Sequence, residues 1–125
     1  MHKSRLCALV IDCEVDDLDP AARFWSHALG RAQQPPSPDS PTYRSLVARD
    51  QEPMLLLQKV EHPSRVHLDI ETDDVEAEVT RLEALGARRV AKVHTWWVME
   101  APTGHRFCVV RPQRGPLGDD ANEWP

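Results

Sequence analysis

Apolar residues recur along this chain with two spacings, and the spacings alternate in a fixed order. Leu6 to Cys13 and Val66 to Ile70 are rich in Val, Ile and Leu and predict strands. Each runs into acidic residues suited to the start of a helix. Leu18, Ala21, Ala22, Trp25, Ala28 and Leu29 share one face of a first helix, and Val75, Val79, Leu82 and Leu85 share one face of a second. Gly30 and Gly86 stand where a helix passes through the left-handed region just beyond its last turn. Behind each helix the strand pattern returns. It covers Thr42 to Ala48 and Met54 to Val60, and then Arg88 to Val93, Trp96 to Glu100 and Arg106 to Val110.

The two halves are also alike residue by residue. The segment from Val10 to Asp19 aligns with the segment from His67 to Glu76 at an offset of 57. Asp12/Asp69, Glu14/Glu71, Asp16/Asp73 and Asp17/Asp74 are identical pairs, and both helical patterns close on Ala-Leu-Gly. A unit of strand, helix and strands has been used twice, and neither copy is large enough to close a core alone. Pro35, Pro36, Pro38 and Pro41 crowd into one stretch, so that any strand just after Gly30 is short or irregular. The tail from Pro112 to Pro125 has little apolar content and is expected to be mobile unless Trp124 docks on a neighbour.

Composition narrows the class of function. The chain of 125 residues is 41% hydrophobic and 28% charged with a net charge of -5, which suits a soluble globular protein. Its basic residues are scattered, which argues against nucleic acid or an anionic membrane as partner. The longest apolar runs fall far short of the roughly 20 residues of a membrane helix. The N-terminus lacks the pattern of a signal peptide, so a cytoplasmic location is expected. Cys7, Cys13 and Cys108 are odd in number and have no Cys-x-x-Cys spacing, which reads as free thiols.

Several motifs occur together in one order. They are Val10-Ile11-Asp12-Cys13, Ala22-Arg23-Phe24-Trp25, Ala28-Leu29-Gly30, Leu57-Gln58-Lys59-Val60, Arg65-Val66-His67-Leu68-Asp69-Ile70, Trp96-Trp97-Val98, and Ala101-Pro102-Thr103-Gly104 running on to Val110. In these motifs the chain resembles the vicinal oxygen chelate superfamily, and within it the glyoxalase-like and bleomycin-resistance-like domains. The resemblance covers nearly everything from Leu6 to Pro112. It implies an α+β fold of two β-α-β-β-β modules forming a curled mixed sheet around a cavity. One domain would span residues 1–112, with modules at about 5–61 and 64–112 and a flexible tail at 113–125. It also implies pairing into a homodimer.

Metal-dependent members of that superfamily carry four ligands, on the first and last strands of each module. Carried over, these positions fall on His67, on Cys108 where Glu is usual, on Val10, and near Leu56 with Gln58 two residues on. Only His67 keeps a usual ligand type. A divalent metal is the cofactor the resemblance implies, yet none is expected here. His67 and Cys108 are the positions that would hold one.

Strand alternation places Arg65, His67 and Asp69 on one face and Val66, Leu68 and Ile70 on the other, under the second helix. His67 then reads as a ligand-contacting or catalytic group, as a structural histidine bonded to Asp69, or as a metal ligand. Cys108 reads as an inert buried thiol, or as a soft ligand or nucleophile paired with His67. Asp12 and Asp69 serve either as an acid-base pair or as acceptors for loop amides. Gln58 and Arg106 are candidate polar contacts to a ligand, and Val10, Met54, Leu56 and Trp97 candidate apolar walls. Trp96 and Trp97 alternate, so only one can face inward. Glu14 and Glu71 read as solvated helix entries, and Cys7 and Cys13 as core.

The expected function is therefore small-molecule binding by a glyoxalase-like protein with an incomplete metal site, the ligand lying near His67. The alternatives are a metal-dependent lyase, isomerase or dioxygenase, a metal-free acid-base catalyst using His67 with Asp69 or Asp12, and a non-catalytic protein that sequesters an antibiotic or metabolite.

Overall fold

Asp17 opens helix α1 (Leu18–Leu29) by accepting the N–H of Asp19 at 3.0 Å. Asp74 opens α2 (Val75–Ala84) by accepting that of Ala77 at 3.0 Å, so the acidic doublets of the repeat cap both helices. The computed structural model describes Met1–Pro125. The chain divides into an N-terminal unit, Ala8–Val66, and a C-terminal unit made of Met1–Cys7 with His67–Pro125.

In the N-terminal unit the second half of β1 (His2–Cys13) lies parallel to β3 (Met54–Lys59), and β2 (Tyr43–Leu46) lies antiparallel on the other side of β3. Alternation sends Ile11, Cys13, Leu55 and Leu57 toward α1. There they pack with Leu18, Ala22, Trp25 and Leu46. Gly30 ends α1 at φ 64°. The proline-rich segment after it makes a single bridge, Gln33 to Leu46, because proline lacks the N–H a ladder needs.

The C-terminal unit orders its strands β4 (Arg65–Thr72), β7 (Arg106–Val110), β6 (Trp96–Glu100) and β5 (Arg88–Val93). The pair β4/β7 is parallel and the others antiparallel. Helix α2 covers β5, β6 and β7, burying Val79, Met99 and Val109 with Val75, Leu82, Trp97 and Phe107 packed around them. It does not cover β4. Val66 and Leu68, expected beneath the helix, are 57% and 44% exposed. The tail ends in β8 (Asn122–Trp124), antiparallel to His2–Ser4. Trp124 docks there, donating Nε1–H to Ser4 Oγ at 2.8 Å under the guanidinium of Arg81, which lies 3.8 Å from the ring centre.

Gly86 follows α2 at φ 108°, and a Cβ on it would meet Pro102 Cγ at 3.1 Å. Gly86→Ala therefore strains the backbone and crowds a ring at once. It is expected to lower stability by about 1–3 kcal/mol, measurable as a fall in the urea midpoint at unchanged slope.

Two carboxylates are buried in this unit. Glu71, read from the sequence as solvated, is fully buried. It accepts hydrogen bonds from Gln113 N at 2.9 Å, Arg5 Nε at 3.0 Å and Arg114 Nε at 3.1 Å. Glu78 on α2 is fully buried as well. It faces His2 Nε2 at 2.7 Å and accepts from Arg81 Nε at 2.8 Å and Nη2 at 2.7 Å.

Candidate functional site

The side chains with chemical potential gather in two clusters, one in each unit. In the C-terminal unit, alternation along β4 puts His67 and Asp69 on the face turned away from α2. The parallel ladder makes Cys108 the Cα partner of Asp69. The three side chains meet: an imidazole nitrogen, a carboxylate oxygen and the thiol sulfur lie within 4.8 Å of one another. His67 Nε2 stands 3.4 Å from Asp69 Oδ1, both side chains being mostly buried. Asp69 Oδ1 is buried and accepts no hydrogen bond. A carboxylate oxygen removed from water without a donor is costly, and such an atom suits a ligand or a cation.

In the N-terminal unit the ladder between β1 and β3 makes partners of Val10 and Leu56, of Asp12 and Gln58, and of Ala8 and Met54. Val10, Asp12, Met54, Leu56 and Gln58 thus share the face opposite α1, as alternation required. Asp12 is almost fully buried. Its Oδ2 lies 3.8 Å from Arg65 Nε and 3.9 Å from His62 Nε2. His62 is not among the candidate site residues of the sequence reading. It sits in the turn before β4, and only the fold brings it to Asp12.

Two expected ligand contacts are placed otherwise. Trp97 lies on the α2 face of β6 with Met99, packed into the core beneath the helix, with Arg89 stacked 4.9 Å from its ring centre. The ladder sets Trp97 against Val109 and Val98 against Cys108, so Trp97 cannot wall a site at Cys108. Arg106 keeps the face of Cys108, but its Nε is committed to Glu100 Oε2 at 3.2 Å.

The three thiols differ in environment. Burial, with Glu71 and Asp69 nearby, pushes the Cys7 thiol up to about 12. Burial, helped by Asp12, also raises Cys13. Cys108 is the one thiol that is not fully buried. At pH 8 a disulfide reagent is therefore expected to react readily with one thiol in the folded chain and with three in denaturant. Cys108→Ser should abolish the native-state reaction.

Comparison with known proteins agrees with this architecture. Residues 8–110 match the glyoxalase-like domain, and the chain belongs to that family. Comparison with curated proteins gave no match. Among solved structures, methylmalonyl-CoA epimerase from Mycobacterium tuberculosis is 19% identical. That alignment covers 89% of this chain and 88% of the epimerase at a TM-score of 0.60. A hypothetical protein, BH1468, from Bacillus halodurans C-125 is 10% identical, with 91% and 99% covered at 0.63. A glyoxalase/bleomycin resistance protein/dioxygenase superfamily member from Vibrio splendidus 12B01 is 19% identical, with 85% and 98% covered at 0.51. These likenesses establish the α+β glyoxalase/bleomycin-resistance fold. No helix of the chain is long and apolar enough to cross a membrane.

Proposed function

We propose that this glyoxalase-like protein binds a small molecule against His67, Asp69 and Cys108. The observation that supports it is the convergence of imidazole, carboxylate and thiol within 4.8 Å, with an oxygen of Asp69 buried and lacking a hydrogen-bond donor. The imidazole beside a carboxylate can hold or move a proton on a bound oxygen, and the Cys108 sulfur offers a soft, polarisable contact.

A second reading, a metal-dependent lyase or isomerase, draws support from the same atoms. Nitrogen, oxygen and sulfur donors at this spacing fit a zinc-class ion better than magnesium or calcium, which favour all-oxygen shells. Asp69, taken from the sequence as an acid-base group, adds a third donor to His67 and Cys108. These three residues would hold the ion, which when bound would polarise a carbonyl oxygen of the substrate.

Protection of Cys108 from alkylation distinguishes the two. Slowing by small oxygen-bearing metabolites in protein stripped of metal is expected under the binding reading. Slowing by zinc alone, lost in His67→Ala, would transfer the conclusion to the metal enzyme. No slowing by either would sink both. We further propose a cytoplasmic protein that forms a homodimer, the pairing being what the family resemblance implies. Sedimentation equilibrium should then give twice the 14.2 kDa chain mass.

A further inference from the structure

The C-terminal unit carries a cavity on the opposite face of its sheet from the cluster of His67, Asp69 and Cys108. It has a volume of about 560 Å³ and is bounded by the end of β4, the first turn of α2, the turn between β5 and β6, and the residues just after β7. That volume lies within the range of about 300–1,000 Å³ typical of small-molecule sites. The cavity is open at the carboxyl ends of two parallel strands, β4 and β7.

Its lining is asymmetric in what is already engaged. Three acidic groups line it, each with one oxygen engaged by the protein, and Arg89, helped by Lys92 close by, holds the Glu76 carboxyl below the usual value. Asp73 Oδ1 accepts Lys3 N–H at 2.8 Å, Asp74 Oδ1 accepts Ala77 N–H at 3.0 Å, and Glu76 Oε1 accepts from Arg89 Nη2 at 2.7 Å. The basic groups Lys92, His94 and Arg111 also line it, and none of their side chains donates a hydrogen bond within the chain. Trp97, whose ring Arg89 overlies at 4.9 Å, contributes an apolar wall through the part of its indole that lines the cavity. It is the ladder partner of Lys92, so indole and ammonium project from the same face of the β5/β6 hairpin. The tryptophan that sequence reasoning assigned to the His67 site thus lines this cavity on the other face of the sheet.

From this arrangement we infer that the cavity is a binding site for a small planar molecule bearing a phosphate or carboxylate. The anionic group would lie among Lys92, His94 and Arg111, and the planar part against Trp97. Charge-assisted hydrogen bonds from a guanidinium and an ammonium suit either anion, and the ring supplies apolar contact.

Phenyl phosphate is a suitable probe, followed by calorimetry and by the amide and indole N–H signals in a ¹H–¹⁵N spectrum. Binding is expected to shift the Trp97 indole and the amides of Val75 and Glu76. Lys92→Ala and Arg111→Ala, both at exposed positions, should each weaken binding at least about tenfold. His67→Ala should leave the affinity unchanged, which separates this site from the one on the other face. Benzyl alcohol, which lacks the anion, should bind far more weakly. Inorganic phosphate binding as tightly as phenyl phosphate would remove the planar requirement and overturn the assignment. So would the absence of heat and of shifts at millimolar probe, or binding lost in His67→Ala but kept in Arg111→Ala.

Discussion

Glu71→Ala is expected to cost about 3–5 kcal/mol, a large share of the roughly 5–15 kcal/mol that holds a domain folded. Glu71 is fully buried and is the acceptor on which three donors from distant parts of the sequence converge: Arg5, the backbone of Gln113 and Arg114. Arg5 reaches Asp120 as well, so this carboxylate ties the start of β1 and the segment after β7 to the end of β4. Truncation takes the carboxylate from between two guanidiniums and the acceptor from the Gln113 N–H, with Asp120 still beside Arg5, and losing one side of a buried charge pair costs more than the net value of the pair. Glu71→Gln keeps the shape and one acceptor and should cost less, about 1–3 kcal/mol. Urea unfolding of the three proteins measures the order directly. Equal stability of Glu71→Ala and wild type would show that the network is ornamental.

Acidification is the second large effect. Burial alone would raise Glu71. The hydrogen bonds from Gln113, Arg5 and Arg114 outweigh it, and its carboxyl lies below the ordinary value of 4.5. For Glu78, burial is likewise outweighed by Arg81 and His2, with Ser4 adding to them, and the shift is again downward. A group whose pKa is lower folded than unfolded binds more protons when unfolded. Its stabilisation is fully present above about pH 4.5 and is lost as pH falls through the folded value. The urea midpoint should be level above about pH 5 and fall steeply below about pH 4.5. Glu71→Gln combined with Glu78→Gln should remove much of that slope. A double variant with the wild-type slope would place the acid sensitivity elsewhere.

The fold was legible because the two periodicities alternate in the order that the elements take. Leu18 to Leu29 reads as a helix from its apolar face and is one, and Arg88–Val93, Trp96–Glu100 and Arg106–Val110 are strands at the expected residues. The cluster of His67, Asp69 and Cys108 was half legible. Alternation put His67 beside Asp69 and the family resemblance set Cys108 with His67, but the β4/β7 register that makes Cys108 the partner of Asp69 is carried by no local pattern. Trp97 was misassigned because either tryptophan of the pair could have faced the ligand. The signal lay two residues on, where Met99 and Glu100 show which parity is apolar. Glu71 was misread because its partners lie 66, 42 and 43 residues away, so nothing next to it announces burial. Val66 and Leu68 looked like core because they alternate correctly. Whether a helix reaches far enough to cover them is a property of packing, and α2 stops at β7.

The most direct test of the site is the position of the His67 Cε1–H signal in histidine-labelled protein, assigned by its loss in His67→Gln. The signal would be followed while 2-oxo acids, 2-hydroxy acids, hydroxamates and catechols are added in turn. The expected result is a saturable shift of that signal by at least one class, with the Cys108 thiol protected in parallel and His27 on the surface of α1 unmoved. If the folded protein keeps the His67 signal in place against every class, with and without zinc, the cluster is structural and the proposed function is contradicted.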